Sequence, residues 1–189
     1  MELLYDRLSD VAGSVISINS LREDLEVAFE TARHWIEILE NLYAVFRIPP
    51  FGPAKIKSVK KDQKLYFWDW SRASSEGARY ENMLAMHLLR FVHWHRDLFG
   101  ENLELRYFRN RLGCEVDFVI LRDKKPWMAI EAKMSDGDIS PSFKYFLERV
   151  KVPFAFQVFL SGTKERRISD INGATVQLIS AARFLAQLP

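Results

Sequence analysis

Glu115-Val116-Asp117-Phe118-Val119, followed by Ala129-Ile130-Glu131-Ala132-Lys133, reads as the two strands of one antiparallel hairpin. Both are runs of β-branched and apolar residues interrupted by charge, the pattern of buried strands. Between them Arg122-Asp123-Lys124-Lys125-Pro126 carries turn chemistry. A hairpin symmetric about Lys124 sets Asp117 opposite Glu131 and Glu115 opposite Lys133. Strand alternation then gathers all four charges on one face, with Val116, Phe118, Ile120, Met128, Ile130 and Ala132 on the other. Carboxylates directly opposite each other destabilise a sheet. At ~5 Å and an effective dielectric near ~20 the repulsion is roughly 3 kcal/mol. A divalent cation between them reverses the sign of that interaction, so the pattern predicts a metal site.

Asp117 and Glu131 supply the hard oxygen ligands that Mg²⁺ or Mn²⁺ takes, leaving positions for water and a substrate phosphate. Lys133, two residues after Glu131 on the same face, is placed to orient an attacking water or to stabilise charge developing on phosphorus-bound oxygens. A carboxylate on one strand and Glu-x-Lys on the next is the motif of the PD-(D/E)xK nucleases. The structural alternative for the same residues is a cross-strand salt bridge at a sheet end, Lys133 neutralising Glu115.

Further stretches carry a wider resemblance: Leu65-Tyr66-Phe67-Trp68-Asp69-Trp70-Ser71, Gly77-Ala78-Arg79-Tyr80-Glu81-Asn82, Tyr107-Phe108-Arg109, Lys125-Pro126-Trp127 and Arg183-Phe184-Leu185. With the hairpin, they resemble the C-terminal region of bacterial and archaeal AAA-type ATPases, a domain of unknown function of the DUF 4143 type. The resemblance implies a winged-helix unit followed by a restriction-endonuclease-like domain. It also implies that Glu81, on the first helix of that domain, is a further metal ligand beside Asp117 and Glu131. The ATPase core is the implied partner, but these 189 residues contain no Gly-x-x-x-x-Gly-Lys-Ser/Thr. Without that run of backbone N–H groups ahead of a helix there is no P-loop phosphate cradle and no ATP-binding residue to name. The expectation is a fragment or a truncated relative of the longer protein.

Composition is that of an ordinary globular protein, and a net charge of +2 gives no general pull toward nucleic acid. Cys114 is the lone cysteine, which excludes an intrachain disulfide and points to a reducing compartment, the cytoplasm. No apolar run approaches the ~20 residues of a membrane span, so no membrane partner is expected.

Helical spacing of Leu3, Leu4, Leu8, Val11 and Ala12 predicts a first helix ended by Gly13. Ser20 is placed to cap a second, through Leu25. Ala32, Trp35, Ile36, Leu39, Leu42 and Tyr43 form one stripe of a third, where Ala28 stands in place of the resemblance's small polar cap. Strands at Val45–Ile48 and around Leu65–Trp68 complete a helix-turn-helix with a β-wing. Exposed Glu30, Glu37 and Glu40 offset Arg33 and His34, so the third helix is a poor reader of DNA. The cationic candidates for DNA are Lys57, Lys60 and Lys61, with Lys55 and Lys64 beside them.

A long helix is expected from Glu76 to Phe99. Its His87, His93 and His95 lack metal-binding spacing and read as surface or core-edge residues. Three strands follow, then a helix opened by Pro141, strands at 154–160 and 175–178, and a last helix capped by Ser180. Lys164, Arg166 and Arg167 read as a solvated loop. The fold class is therefore α/β (α+β overall): a small winged-helix unit over 1–71, then a restriction-endonuclease-like α/β/α domain with a mixed central sheet over 72–189. Two functions fit. One is Mg²⁺-dependent phosphodiester hydrolysis by Asp117, Glu131 and Lys133; the other is a non-catalytic regulatory or docking module of the ATPase.

Overall fold

The computed structural model describes residues 2–52 and 63–189. The chain is mixed α/β and divides into two compact units, Met1–Met86 and His87–Pro189.

The first unit opens with three helices, α1 (Glu2–Asp10), α2 (Ile18–Asp24) and α3 (Phe29–Asn41). Strand β1 (Val45–Ile48) then pairs antiparallel with β3 (Lys64–Phe67), Val45 opposite Phe67; a two-residue strand β2 (Pro50–Phe51) lies between them in sequence. Val15, in the α1–α2 connection, makes an isolated antiparallel bridge to Lys64. Leu4, Leu8, Ile16, Leu21, Ile36, Leu39, Val45, Leu65 and Phe67 form the core. Leu3 is exposed and takes no part in it.

Ser17 caps α2, accepting the Ser20 N–H at 3.2 Å, so the cap lies three residues before the expected Ser20. Ala28 occupies the N-cap of α3 with no side-chain hydrogen bond, and the helix starts there regardless. Its amphipathic face supplies the stability that the cap does not. The apolar stripe is shorter than its spacing predicts. Leu42 already ends the helix and Tyr43 has φ 55°, which turns both side chains outward to 68% and 72% exposure.

Helix α4 (Glu76–Phe99) has the predicted bounds, and the division between the units falls within it. Asn82, fully buried on it, acts as a partner for β3. Its Oδ1 accepts the Phe67 N–H at 2.8 Å and its Nδ2 donates to the Phe67 carbonyl at 2.6 Å. Arg79 donates to the carbonyls of Ala73 and Ser74. These contacts give the Arg79-Tyr80-Glu81-Asn82 stretch a structural role inside the first unit.

The second unit is built on a mixed sheet: β4 (Leu103–Arg109), β5 (Glu115–Arg122), β6 (Lys125–Ser135), β7 (Phe154–Ser161), β8 (Arg166–Ile171) and β9 (Ala174–Ser180) in the spatial order β4-β5-β6-β7-β9-β8. The first three form an antiparallel meander; β7 runs parallel to β6 after a crossover through α5 (Pro141–Leu147), with Pro141 in its first turn. Strand β9 is parallel to β7 and β8 antiparallel to β9, and α6 (Ala181–Leu185) closes the unit. Phe118, Val119, Ile120 and Leu121 are all buried, as are Met128, Ala129, Ile130 and Glu131, so the middle of the sheet is covered on both faces. One-sided alternation appears in β4 and at the start of β5.

Edge strand β8 replaces the loop expected around Arg166. Arg166 begins it and donates to the Gly137 carbonyl and to Asp138 at 2.5 Å. Asp136 fastens the same region by accepting the N–H groups of Thr163 and Lys164, which hold its carboxyl below the usual carboxylate range. Gly162 has φ +125°, and a Cβ there would overlap the Asp136 side chain. Gly162→Ala is therefore expected to cost about 1–3 kcal/mol from backbone strain alone, read by denaturant unfolding. Gly77→Ala, where a Cβ meets nothing within 4 Å, serves as the control and should be neutral or stabilising.

Candidate active site

The β5–β6 hairpin turns at Asp123 and Lys124, both at positive φ (51° and 64°), the conformation of a two-residue type I′ turn. Next to the turn Arg122 pairs with Lys125 and Leu121 with Pro126; beyond it Ile120 pairs with Met128, Val119 with Ala129 and Phe118 with Ile130. Trp127 is the extra residue of a β-bulge. The hairpin's true centre lies between Asp123 and Lys124, and the bulge shifts the register by one residue. That shift produces the phase expected from symmetry about Lys124: one step beyond Phe118 and Ile130, Asp117 and Glu131 share a face.

The backbone ladder ends at Phe118 and Ile130, and there a side chain takes over from the backbone. Asp117 Oδ2 accepts the Ala132 N–H at 2.8 Å, which sets its carboxylate against the strand bearing Glu131. Glu131 is 4% exposed. Its Oε1 lies 2.8 Å from Lys133 Nζ, while its Oε2 is buried with no hydrogen-bond partner. Lys133 keeps 40% of its side chain exposed, so the pair joins a buried carboxylate to a partly solvated ammonium. Glu115 lies 3.6 Å from Arg109.

A buried carboxylate oxygen left without a hydrogen bond carries a desolvation cost that a single ion pair on the other oxygen does not relieve. A hard cation fits the bare oxygen beside Asp117. Among the described residues no group of three or more His, Cys, Asp or Glu side chains is arranged to hold a metal ion. A cation at Asp117 and Glu131 would thus draw its other ligands from water and substrate, as Mg²⁺ commonly does.

Glu81, the third expected ligand, belongs to the first unit. Its Oε1 accepts from Lys64 Nζ at 3.0 Å and from the Tyr66 hydroxyl at 2.7 Å. Gly13 lies close by: a Cβ there would sit 3.4 Å from the Glu81 carboxylate, at ordinary contact distance. Lys64 is buried by the same contact and offers no surface charge, contrary to its place among the wing lysines. Lys55, Lys57, Lys60 and Lys61 lie outside the described residues. On α3, Arg33 bonds both Glu30 and Glu37, and Arg47 makes a two-pronged contact with Glu40.

His95 Nδ1 lies 2.7 Å from Glu101 and depresses its carboxyl, with Arg122 adding to the effect. Burial pushes His87 and His93 down, each helped by a neighbouring arginine. No helix of the described residues is long and apolar enough to cross a membrane.

A family model for a domain of unknown function, DUF4143, matches residues 76–182, and one for another, DUF8612, matches residues 1–75. No curated protein and no solved structure matches the chain. Matched by the first of these models over more than half its length, the chain belongs to the DUF4143 family, a domain of unknown function.

Proposed function

We propose that this chain hydrolyses phosphodiester bonds in nucleic acid with Mg²⁺ or Mn²⁺ held by Asp117 and Glu131, as the C-terminal region of an AAA-type ATPase. The observation that carries this is the bare, buried Oε2 of Glu131 beside Asp117. The cation would supply Lewis acidity and a nucleophilic water at neutral pH. Asp117 is oriented for its task by the Ala132 N–H, and Glu131 is ion-paired with Lys133. Lys133, half exposed, turns from Glu131 toward the scissile phosphate and stabilises the negative charge that builds there. The sheet order of the second unit is compatible with a restriction-endonuclease-like core. Family membership supports the ATPase association, because DUF4143 is often found in AAA-ATPase-associated proteins. Three helices followed by a β-ribbon support a winged-helix reading of the first unit, with Lys57, Lys60 and Lys61 as its DNA contacts.

One observation favours the second reading, a non-catalytic regulatory or docking module: Lys64 and Tyr66 already engage Glu81, the ligand that the nuclease resemblance would add. Under that reading Lys133–Glu131 is a structural ion pair.

Metal titration separates the two. Mg²⁺ or Mn²⁺ at about 100 times its Kd should stabilise the wild-type chain by about 2.7 kcal/mol in thermal melts. The Asp117→Asn, Glu131→Gln double variant should not respond. Cleavage is assayed in parallel on single-stranded, duplex and branched substrates. A wild type indifferent to metal in melts and inert on every substrate overturns the nuclease.

A further inference from the structure

We propose that the β4–β5 turn, Asn110-Arg111-Leu112-Gly113, is a nucleic-acid contact of the same site, Arg111 pairing with a backbone phosphate and Leu112 packing on a base. The inference rests on the phosphodiesterase reading and extends it to how the substrate is held.

The turn is rigid by construction. Asn110 Oδ1 accepts the N–H groups of Leu112 at 2.9 Å and Cys114 at 3.0 Å. The Asn110 N–H donates to the Cys114 carbonyl at 3.0 Å and the Gly113 N–H to the Asn110 carbonyl at 3.2 Å. Gly113, at φ +81°, supplies the left-handed step that lets the chain reverse. One side chain thus fixes the loop, and little conformational entropy remains to be lost when a ligand binds it.

That rigid turn presents two side chains that the fold does not use. Leu112 is 79% exposed, the most exposed large apolar side chain among the described residues. Arg111 is exposed and has no carboxylate partner among the described residues, whereas the other arginines of this meander each pair with a glutamate: Arg106 with Glu104, Arg109 with Glu115, Arg122 with Glu101. A guanidinium left without a counter-charge beside an apolar tip suits a polyanion that also offers flat apolar faces. Phosphates satisfy the first, and bases, against which leucine wedges pack, satisfy the second.

The position fits the site. Asp117 lies four residues beyond Gly113 on β5, about 13 Å along a strand. Successive phosphates of one strand advance ~3.4 Å along a duplex axis. Arg111, on the turn that leads into β5, therefore meets the backbone several nucleotide steps from a phosphate at Asp117 and Glu131. A contact of this kind sets register on the backbone and does not itself read sequence.

The test is binding of labelled DNA and RNA oligonucleotides of the same sequence to the full chain in EDTA, as a function of salt, with melts alongside. Arg111→Gln should weaken binding about tenfold at low salt and reduce the slope of log K against log salt by about one, the signature of one lost phosphate contact. Leu112→Ser should weaken binding severalfold and leave the slope unchanged. Neither should shift the melting temperature. Variants that bind as wild type does overturn the inference; if wild type still cleaves and responds to metal, the phosphodiesterase stands without it. A drop in melting temperature with Leu112→Ser makes Leu112 structural and overturns its role. Wild type that binds neither oligonucleotide at low salt overturns the inference outright, and the metal melts then decide the site separately.

Discussion

Lys133→Met and Glu131→Gln are expected to abolish cleavage alike and to move stability in opposite directions. Loss of a preorganised cationic stabiliser costs on the order of 10²–10³ in rate, and loss of a metal ligand at least as much. Stability separates them because burial is unequal across the pair. Lys133→Met strands Glu131, 4% exposed, with both oxygens bare. The penalty is about 1–3 kcal/mol, below that of a fully buried pair because the lysine side was half in water already. Glu131→Gln instead removes the buried charge and frees an exposed lysine to hydrate, so without metal it should melt at or above the wild-type temperature. With Mg²⁺ the proposed site predicts the reverse order, since only wild type would gain from the ion. The measurement is a set of melts with and without metal beside a cleavage assay. A Glu131→Gln variant that unfolds more easily than wild type in EDTA would make the ion pair structural and remove the case for stored strain at this carboxylate.

Asn82→Ala carries the largest expected loss of stability. The amide satisfies two backbone groups of Phe67, both in the core of the first unit. Truncation leaves a donor and an acceptor buried without partners, at about 1–3 kcal/mol each. Against a total domain stability of about 5–15 kcal/mol, that removes a large part of the unit's margin. Asn82→Asp should be nearly as damaging, because a carboxylate can take the Phe67 N–H but repels its carbonyl. Denaturant unfolding checks both, and a loss under about 0.5 kcal/mol, the scale of a surface change, would show that Phe67 finds other partners.

The hairpin was legible because its signal is local: alternating β-branched residues, a polar turn, and charges at matching distances from it. Its phase came out as expected although the turn is one half-step away, because the bulge at Trp127 compensates. A bulge leaves no mark in alternation alone. Asn82 was missed, yet it had a signal, a poor helix former amid Tyr80, Leu84 and Leu88 on the buried side of α4. Ser17 and Ser20 are chemically equivalent caps, and only the chain's path into α2 separates them. Leu42 and Tyr43 continue the helical spacing of α3 beyond a stop set by Tyr43's positive φ, which no glycine announces. Strand β8 is hidden by its basic residues, since the partners of Arg166, Asp138 and Gly137, lie on a distant loop. Within the site, sequence placed Asp117, Glu131 and Lys133 on adjoining strands. It could not show that Lys133 pairs with its own strand neighbour, since that depends on how deeply Glu131 is buried.

The tight turn at Asp123 and Lys124 also sets an order of events in time. Strands β5 and β6 meet across two residues, while β6 finds β7 only after the crossover through α5. Short closures cost the least chain entropy, and hairpins form in about 1–10 μs. Asp117 and Glu131 are thus brought face to face in a nascent ribbon, before the parallel strands arrive to enclose Glu131. Repulsion between groups that meet early slows the climb to the native state more than it hastens the descent from it. On the proposed metal site, a divalent ion in the medium would then act as a catalyst of assembly, bridging the two strands while they are still searching for their neighbours.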